Sequence, residues 1–243
     1  MTLEPPAPPE PIPPRKGDAL TTRWLRLRDL DGNGREDTWR WFVERYRPFV
    51  HDVLAHKLGS SRDAATAEEE FWGYLFLSDA VRRACVQRSF RAYLAGIARN
   101  FAREWLRKQH ARGATSVDPD LLPDDSECES MVSKSFVANV LALAIATLRL
   151  ENERAALCLV DFYGVCTEEK PKPASTIAKE TQRSVDAVYM TLHRGRQRLR
   201  ELVVAEITEG CADEEAANDE LRLLLGVTAT RHPGLLSQES GAA

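Results

Sequence analysis

Apolar residues recur at helical spacing wherever they are dense along the chain. The clearest run is Ser89 to Lys108, where Phe90, Tyr93, Leu94, Ile97, Ala98, Phe101, Ala102, Trp105 and Leu106 mark one face over about five turns, with Ser89 placed as N-cap. Before it, Thr38 to Lys57 reads as a helix with Trp41, Phe42, Arg45 and Phe49 near one side, closed by Gly59. Ala64 to Arg83 reads as a second. Downstream the same pattern predicts helices over Ser133 to Leu148, Asn152 to Tyr163 with Gly164 as stop, Ala174 to Thr181, and Val185 to about Ala205 with Val185, Val188, Leu192 and Leu199 inward. Leu221 to Leu225 suggests one short further helix. The expected fold is all-α.

Breakers divide this string of helices. Seven prolines in residues 1–16 favour an extended segment with no core, so 1–20 is expected to be a disordered tail. Asp29, Asp31 and Asn33 imitate the start of a calcium loop, but the twelfth position, where that loop needs glutamate, is Arg40. Prolines and dense acid over 111–130 predict a flexible acidic linker. The expected organisation is a helical domain over 21–110, that linker, a second small helical domain over 131–205, and an acidic C-terminal extension over 206–243. Pro171 and Pro173 exclude helix from the loop after Gly164.

Charge sharpens the division. The net charge of the 243 residues is -4, yet Arg82 to Arg112 holds nine Arg or Lys against one acid, and Asp118 to Glu129 holds six acids and no base. Lys179 to Arg200 then carries six bases against two acids, and Glu201 to Glu220 eight acids and no base. Two basic modules, each followed by an acidic segment, point to two nucleic-acid contacts. The five cysteines are scattered, with no C-x-x-C pair and no histidines at ligand spacing, so neither a zinc site nor a disulfide framework is expected. No metal or cofactor is expected. With no apolar run of about 20 residues and no signal pattern at the N-terminus, the expected location is the cytoplasm, without membrane insertion.

The candidate chemistry is recognition. Arg91, Arg99, Arg103 and Arg107 recur at multiples of four in the helix after Ser89, with Asn100 beside them, a stripe suited to a polyanion or simply a solvated face over a core helix. The helix from Ala64 carries Glu68, Glu69 and Glu70 before Phe71, Trp72, Tyr74, Leu75 and Phe76, either a large core face or a protein-docking surface with aromatic anchors. Ala174 to Ala205 has the form of a helix-turn-helix. In such a unit the second helix enters the major groove, which places Ser184, Asp186, Ala187, Tyr189 and Met190 near base edges and Arg183, His193, Arg194 and Arg196 near phosphates. No glycine loop for phosphate, ligand set or activated nucleophile accompanies them, so no enzyme activity is expected.

Two of these segments resemble a known family. IARNFAREWLRK, from Ile97, resembles the IARN and DWLR helix of bacterial sigma factor region 2, and FVERYRPFVHDVLAHKLGSSRDA looks like the first part of that region. TIAKETQRSVDAVYMTLHRGRQRLREL is similar, without a gap, to the region 4 sequence EIAELLGISVGTVKSRLHRARKRLREL. Their order, with no domain between them, matches the small extracytoplasmic-function (ECF) sigma factors, and the resemblance covers roughly 36–204. It implies a protein that binds core RNA polymerase and directs promoter recognition, DNA melting and transcription initiation. Arg88, Ser89, Arg91, Arg99, Asn100, Arg103 and Arg107 would then serve the minus-10 element, where extruded bases are captured, and the helix-turn-helix the minus-35 element. Glu69, Glu70, Phe71, Tyr74 and Leu75 would meet polymerase. The implied partners are core polymerase and promoter DNA, with room for an anti-sigma factor.

The chain departs from the family in places. Ala65 to Glu69 stands where the family has Asp-Leu-Val-Gln-Glu, Gly164 to Ile177 is about seven residues longer, Tyr189 and Thr191 replace basic residues, and Gln182 replaces the turn glycine. Two other classes fit the same residues: a stand-alone helix-turn-helix regulator acting without polymerase, and an interaction module whose basic faces meet an acidic protein.

Overall fold

The computed structural model describes residues 35–78, 90–113, 125–209, 211 and 214–237. The expected tail 1–20, the turn at 29–34, Arg88, Ser89 and the expected linker between 114 and 124 lie outside the described residues. So does the end of the extension beyond 237.

Among the described residues the structure is all-helical: α1 Arg35–Leu58, α2 Ser61–Leu77, α3 Phe90–Ala111, α4 Asp125–Glu151, α5 Glu153–Tyr163, α6 Ala174–Glu180, α7 Val185–Glu209 and α8 Glu214–Arg231. Local chemistry sets several of the ends. Ser60 caps α2 by accepting from the Asp63 amide at 3.2 Å, and Asn152 caps α5 by accepting from the Ala155 amide at 3.1 Å. Gly164 ends α5 at φ +62°, and its Cβ position faces Pro171 Cγ at 3.1 Å. Glycine is therefore required there twice, by conformation and by space.

α1 forms the first half of the molecule with α2 and α3. Phe42, Tyr46, Phe49, Val53 and Leu54 are fully buried against Ala64, Phe71, Leu75, Leu94 and Ala98. α4 is the central helix of the second half and packs on α1, α5, α7 and α8. One continuous apolar core runs through both halves. Across the seam Phe49 meets Phe136 edge-on at 5.8 Å, Ser135 donates to Asp52 at 2.6 Å, and the Asn139 amide donates to the Arg45 carbonyl at 3.2 Å.

Four expectations change. The linker expected over 111–130 does not reach 130, because 125–130 already belong to α4, which begins eight residues before the predicted Ser133. The helix predicted from Ala64 to Arg83 has ended by Ser78. The acidic extension, read as holding one short helix, contains the 18-residue α8, whose Ala216, Ala217, Leu224 and Thr228 are buried. Ser130–Glu151 is also long and apolar enough to cross a membrane by length and composition, against the expectation of no such run. Its apolar residues Val132, Phe136, Val140, Ile145 and Leu148 line the core described above.

Candidate nucleic-acid interface

The helix-turn-helix is built from backbone capping. At the end of α6 the Arg183 amide bonds the Ala178 carbonyl at 2.9 Å and the Gln182 amide bonds the Lys179 carbonyl at 3.3 Å, the paired bonds of a Schellman turn. That turn puts its C′ residue in the left-handed region, and Gln182 has φ +55° where glycine would be at ease. Ser184 then caps α7 by accepting from the Ala187 amide at 3.2 Å. Ile177, Val188 and Leu192 fill the angle between the two helices, and Gly195 lets α7 approach α5, with Leu159 Cδ1 3.3 Å from where a Cβ would stand.

This geometry leaves Asp186, Tyr189, Met190, His193, Arg194 and Gln197 exposed along one side of α7. At about 100° per residue these six fall within an arc of about 140°, over about 16 Å of helix. Tyr189 and Met190 are 54% and 52% exposed, unusual for large apolar side chains and suited to contact with bases. Gln197 was absent from the expected set. Its signal was available, since it lies four residues after His193 and seven after Met190, and glutamine is a bidentate reader of adenine. Lys179 is exposed at the end of α6, the helix that crosses the DNA backbone in such units.

Three of the expected contacts are spent within the fold. The Arg183 guanidinium donates to Thr191 Oγ1 at 3.0 Å and to the Ala187 carbonyl at 3.2 Å, bracing the turn. Arg196 Nη1 donates to the Tyr163 hydroxyl at 3.2 Å. The Ser184 hydroxyl is the cap, and Ala187 is only half exposed. The long loop before α6 is also fastened: the Lys172 amide donates to the Asp161 carbonyl at 2.7 Å, and its ammonium bridges Glu180 at 3.2 Å and Asp161 at 3.4 Å. The hydrogen bond to Glu180 is the main cause that holds the Lys172 ammonium above the ordinary lysine range.

On α3 the stripe is narrower than expected. Steps of four residues advance about 400°, so each adds about 40° of drift, and Arg91 lies about 80° behind Arg99 and about 160° behind Arg107. Arg91 accordingly turns inward. It is 9% exposed, its Nε lies 3.1 and 2.9 Å from the two Glu220 oxygens on α8, its Nη1 donates to Ser133, and its guanidinium sits 5.8 Å from the Phe136 ring centre. It is not a surface for DNA. Arg99 and Arg103 are half exposed and Asn100 and Arg107 exposed, with Arg103 donating to Asn100 at 3.3 Å and Arg107 3.7 Å from Glu104.

The expected polymerase set also splits. Phe71 and Leu75 are buried in the core at 0% and 1% exposure, because α2 turns that face onto α1 and α3. Glu69, Glu70 and Tyr74 stay at the surface, with Glu70 accepting from Trp105 Nε1 at 3.1 Å and Tyr74 packed 5.6 Å from Phe101. Leu77, 84% exposed, was not in the expected set. Glu68 is buried and gathers Arg47 at 2.6 Å, His51 at 2.9 Å and Trp72 at 3.3 Å, an internal network that ties α2 to α1.

Compared with protein families, curated proteins and solved structures, the chain finds no match.

Proposed function

We propose that this protein is a sigma factor of the ECF type, which binds core RNA polymerase and directs promoter recognition, melting and transcription initiation. The observation that carries the reading is the exposed face of α7. In the segment whose sequence resembles region 4, a capped turn presents Asp186, Tyr189, Met190, His193, Arg194 and Gln197 together on the second helix of a helix-turn-helix. Phosphate contacts position such a helix and base contacts give it specificity, and this face offers Arg194 for the first and Asp186, Tyr189 and Gln197 for the second. The surface left on α3, with Asn100, Arg103 and Arg107, supplies the second DNA contact that the order of the two resembling segments calls for.

The loss of Phe71 and Leu75 from the surface favours one other reading, a helix-turn-helix regulator that works without polymerase. Transcription by core polymerase with and without the protein, on a promoter library, separates the two. Protein-dependent transcripts support the sigma factor. Duplex binding without core association or transcripts supports the regulator.

A further inference from the structure

We propose that the acidic C-terminal extension is a latch that holds the two halves closed on each other, and that the protein must release it to occupy both promoter elements; this rests on the sigma factor reading. Two ion pairs carry the proposal. Arg45 on α1 pairs with Glu206 near the end of α7, and Arg91 on α3 pairs with Glu220 on α8. Both glutamates belong to the segment from 206 onward, and both arginines belong to the first half. All four side chains are shielded, at 19% and 10% exposure for the first pair and 9% and 7% for the second. Two of the acids after residue 200 are thus set against the first half's own basic residues.

The closed form is too small for its task. Packed helix axes lie about 8–10 Å apart, so the path from α3 through α1 and α4 to α7 is about 30 Å. Adding the helix radii and a displacement of about 37 Å along a 25-residue helix keeps the α3 and α7 faces within about 55 Å. Promoter elements at minus-10 and minus-35 lie about 25 base pairs apart, or about 85 Å at about 3.4 Å per pair. Both cannot be held at once while α1 stays on α4. The seam is also incompletely filled: a cavity of about 620 Å³ lies along it, walled by Pro48 and Asp52 of α1, Asn139 and Leu141 of α4, and Thr228 and His232 at the end of α8. Opening exposes Phe49 and Phe136, so the free protein stays closed and binding partners shift it open.

The full chain tests this with spin labels on Lys108→p-acetylphenylalanine of α3 and Arg154→p-acetylphenylalanine of α5, which packs on α4 and α7, both exposed positions outside the proposed DNA contacts, and distances measured by pulsed electron resonance. The free wild-type protein should give one short distance, below about 55 Å by the packing limits above. Glu206→Arg with Glu220→Arg should add a population longer by about 20 Å or more, and restoring opposite charge with Arg45→Glu and Arg91→Glu should remove it. Circular dichroism checks that each variant remains helical, and the milder pair Glu206→Gln with Glu220→Gln should give a smaller long population. A single short distance in helical charge-reversed variants would overturn the latch. So would a core polymerase and promoter complex in which the distance stays short. Failure to bind core at all would instead overturn the sigma factor reading, while the response of the free protein to charge reversal is read independently.

Discussion

Arg91 and Glu220 stand 129 residues apart in the chain and form a pair in which Nε of the arginine reaches both carboxylate oxygens, at 3.1 and 2.9 Å. Removing one partner of a buried pair leaves the other charge unpaired, which costs about 3–5 kcal/mol. Arg91→Ala should therefore lower the melting temperature by about 10 °C. Arg107, whose side chain is 62% exposed, should behave oppositely: Arg107→Ala should leave stability within about 0.5 kcal/mol and lower the salt slope of promoter binding by about one unit. Calorimetry and a salt titration check both. Equal effects of the two substitutions on stability would place Arg91 back on the surface.

The aromatic helix α2 separates in the same way. Leu75→Ala and Phe71→Ala should cost about 2–5 kcal/mol of stability, since each empties a fully buried site. Tyr74→Ala should leave the fold nearly intact and weaken core polymerase binding about tenfold, about 1.4 kcal/mol. Urea unfolding with a polymerase binding titration distinguishes stability from contact.

Two turn positions predict changes of opposite sign. Gln182 adopts φ +55° at a position where a side chain is strained, so Gln182→Gly should stabilise the protein by about 1 kcal/mol. Gly164→Ala should destabilise it by about 2 kcal/mol, because left-handed strain adds to the 3.1 Å approach of Pro171. Denaturant midpoints measured side by side decide the signs.

On α7, Arg194→Ala should weaken binding to every sequence, whereas Gln197→Ala, Asp186→Ala or Tyr189→Ala should redistribute preference among bases by about 1–3 kcal/mol at a position. Selection from a randomised duplex library, read by sequencing, measures both. Uniform losses from all four would count against base readout by this helix.

Glu151 at the end of α4 receives two bonds of 2.8 Å from Arg198 on α7, and the Arg198 hydrogen bond holds its carboxyl below the ordinary glutamate range. A folded-state pKa below the unfolded one gives stability that is complete above the unfolded value and is lost as pH falls through the folded value. The melting-temperature gap between wild type and Glu151→Gln should be widest near neutral pH and close in acid. A gap independent of pH would remove the ion pair as its cause.

What the sequence determined by itself was local. The αL stop at Gly164, the cap at Asn152 and the α6-turn-α7 unit depend on residues within about five positions of each other, where backbone hydrogen bonding dictates the outcome. The apolar faces of α3 and α7 were legible for the same reason, because about 3.6 residues per turn ties spacing to side, except that Val185, expected inward, is 40% exposed at the start of α7. The tertiary structure decided what each face meets. Arg91 shares its four-residue rhythm with Arg99, yet helical drift turns it toward Glu220, a partner no local pattern could supply. Phe71, Leu75 and Tyr74 have one composition and two fates, because α1 and α3 cover one side of α2 and not the other. Arg183 and Arg196 carry charge suited to phosphate but close hydrogen bonds to Thr191 and Tyr163 first. The extension 206–243 was visible as acid with one short helix; that Glu206 and Glu220 lie against arginines of the first half is a consequence of α7 and α8 both packing on α4, since shielded charges find their partners through the fold and not through the chain.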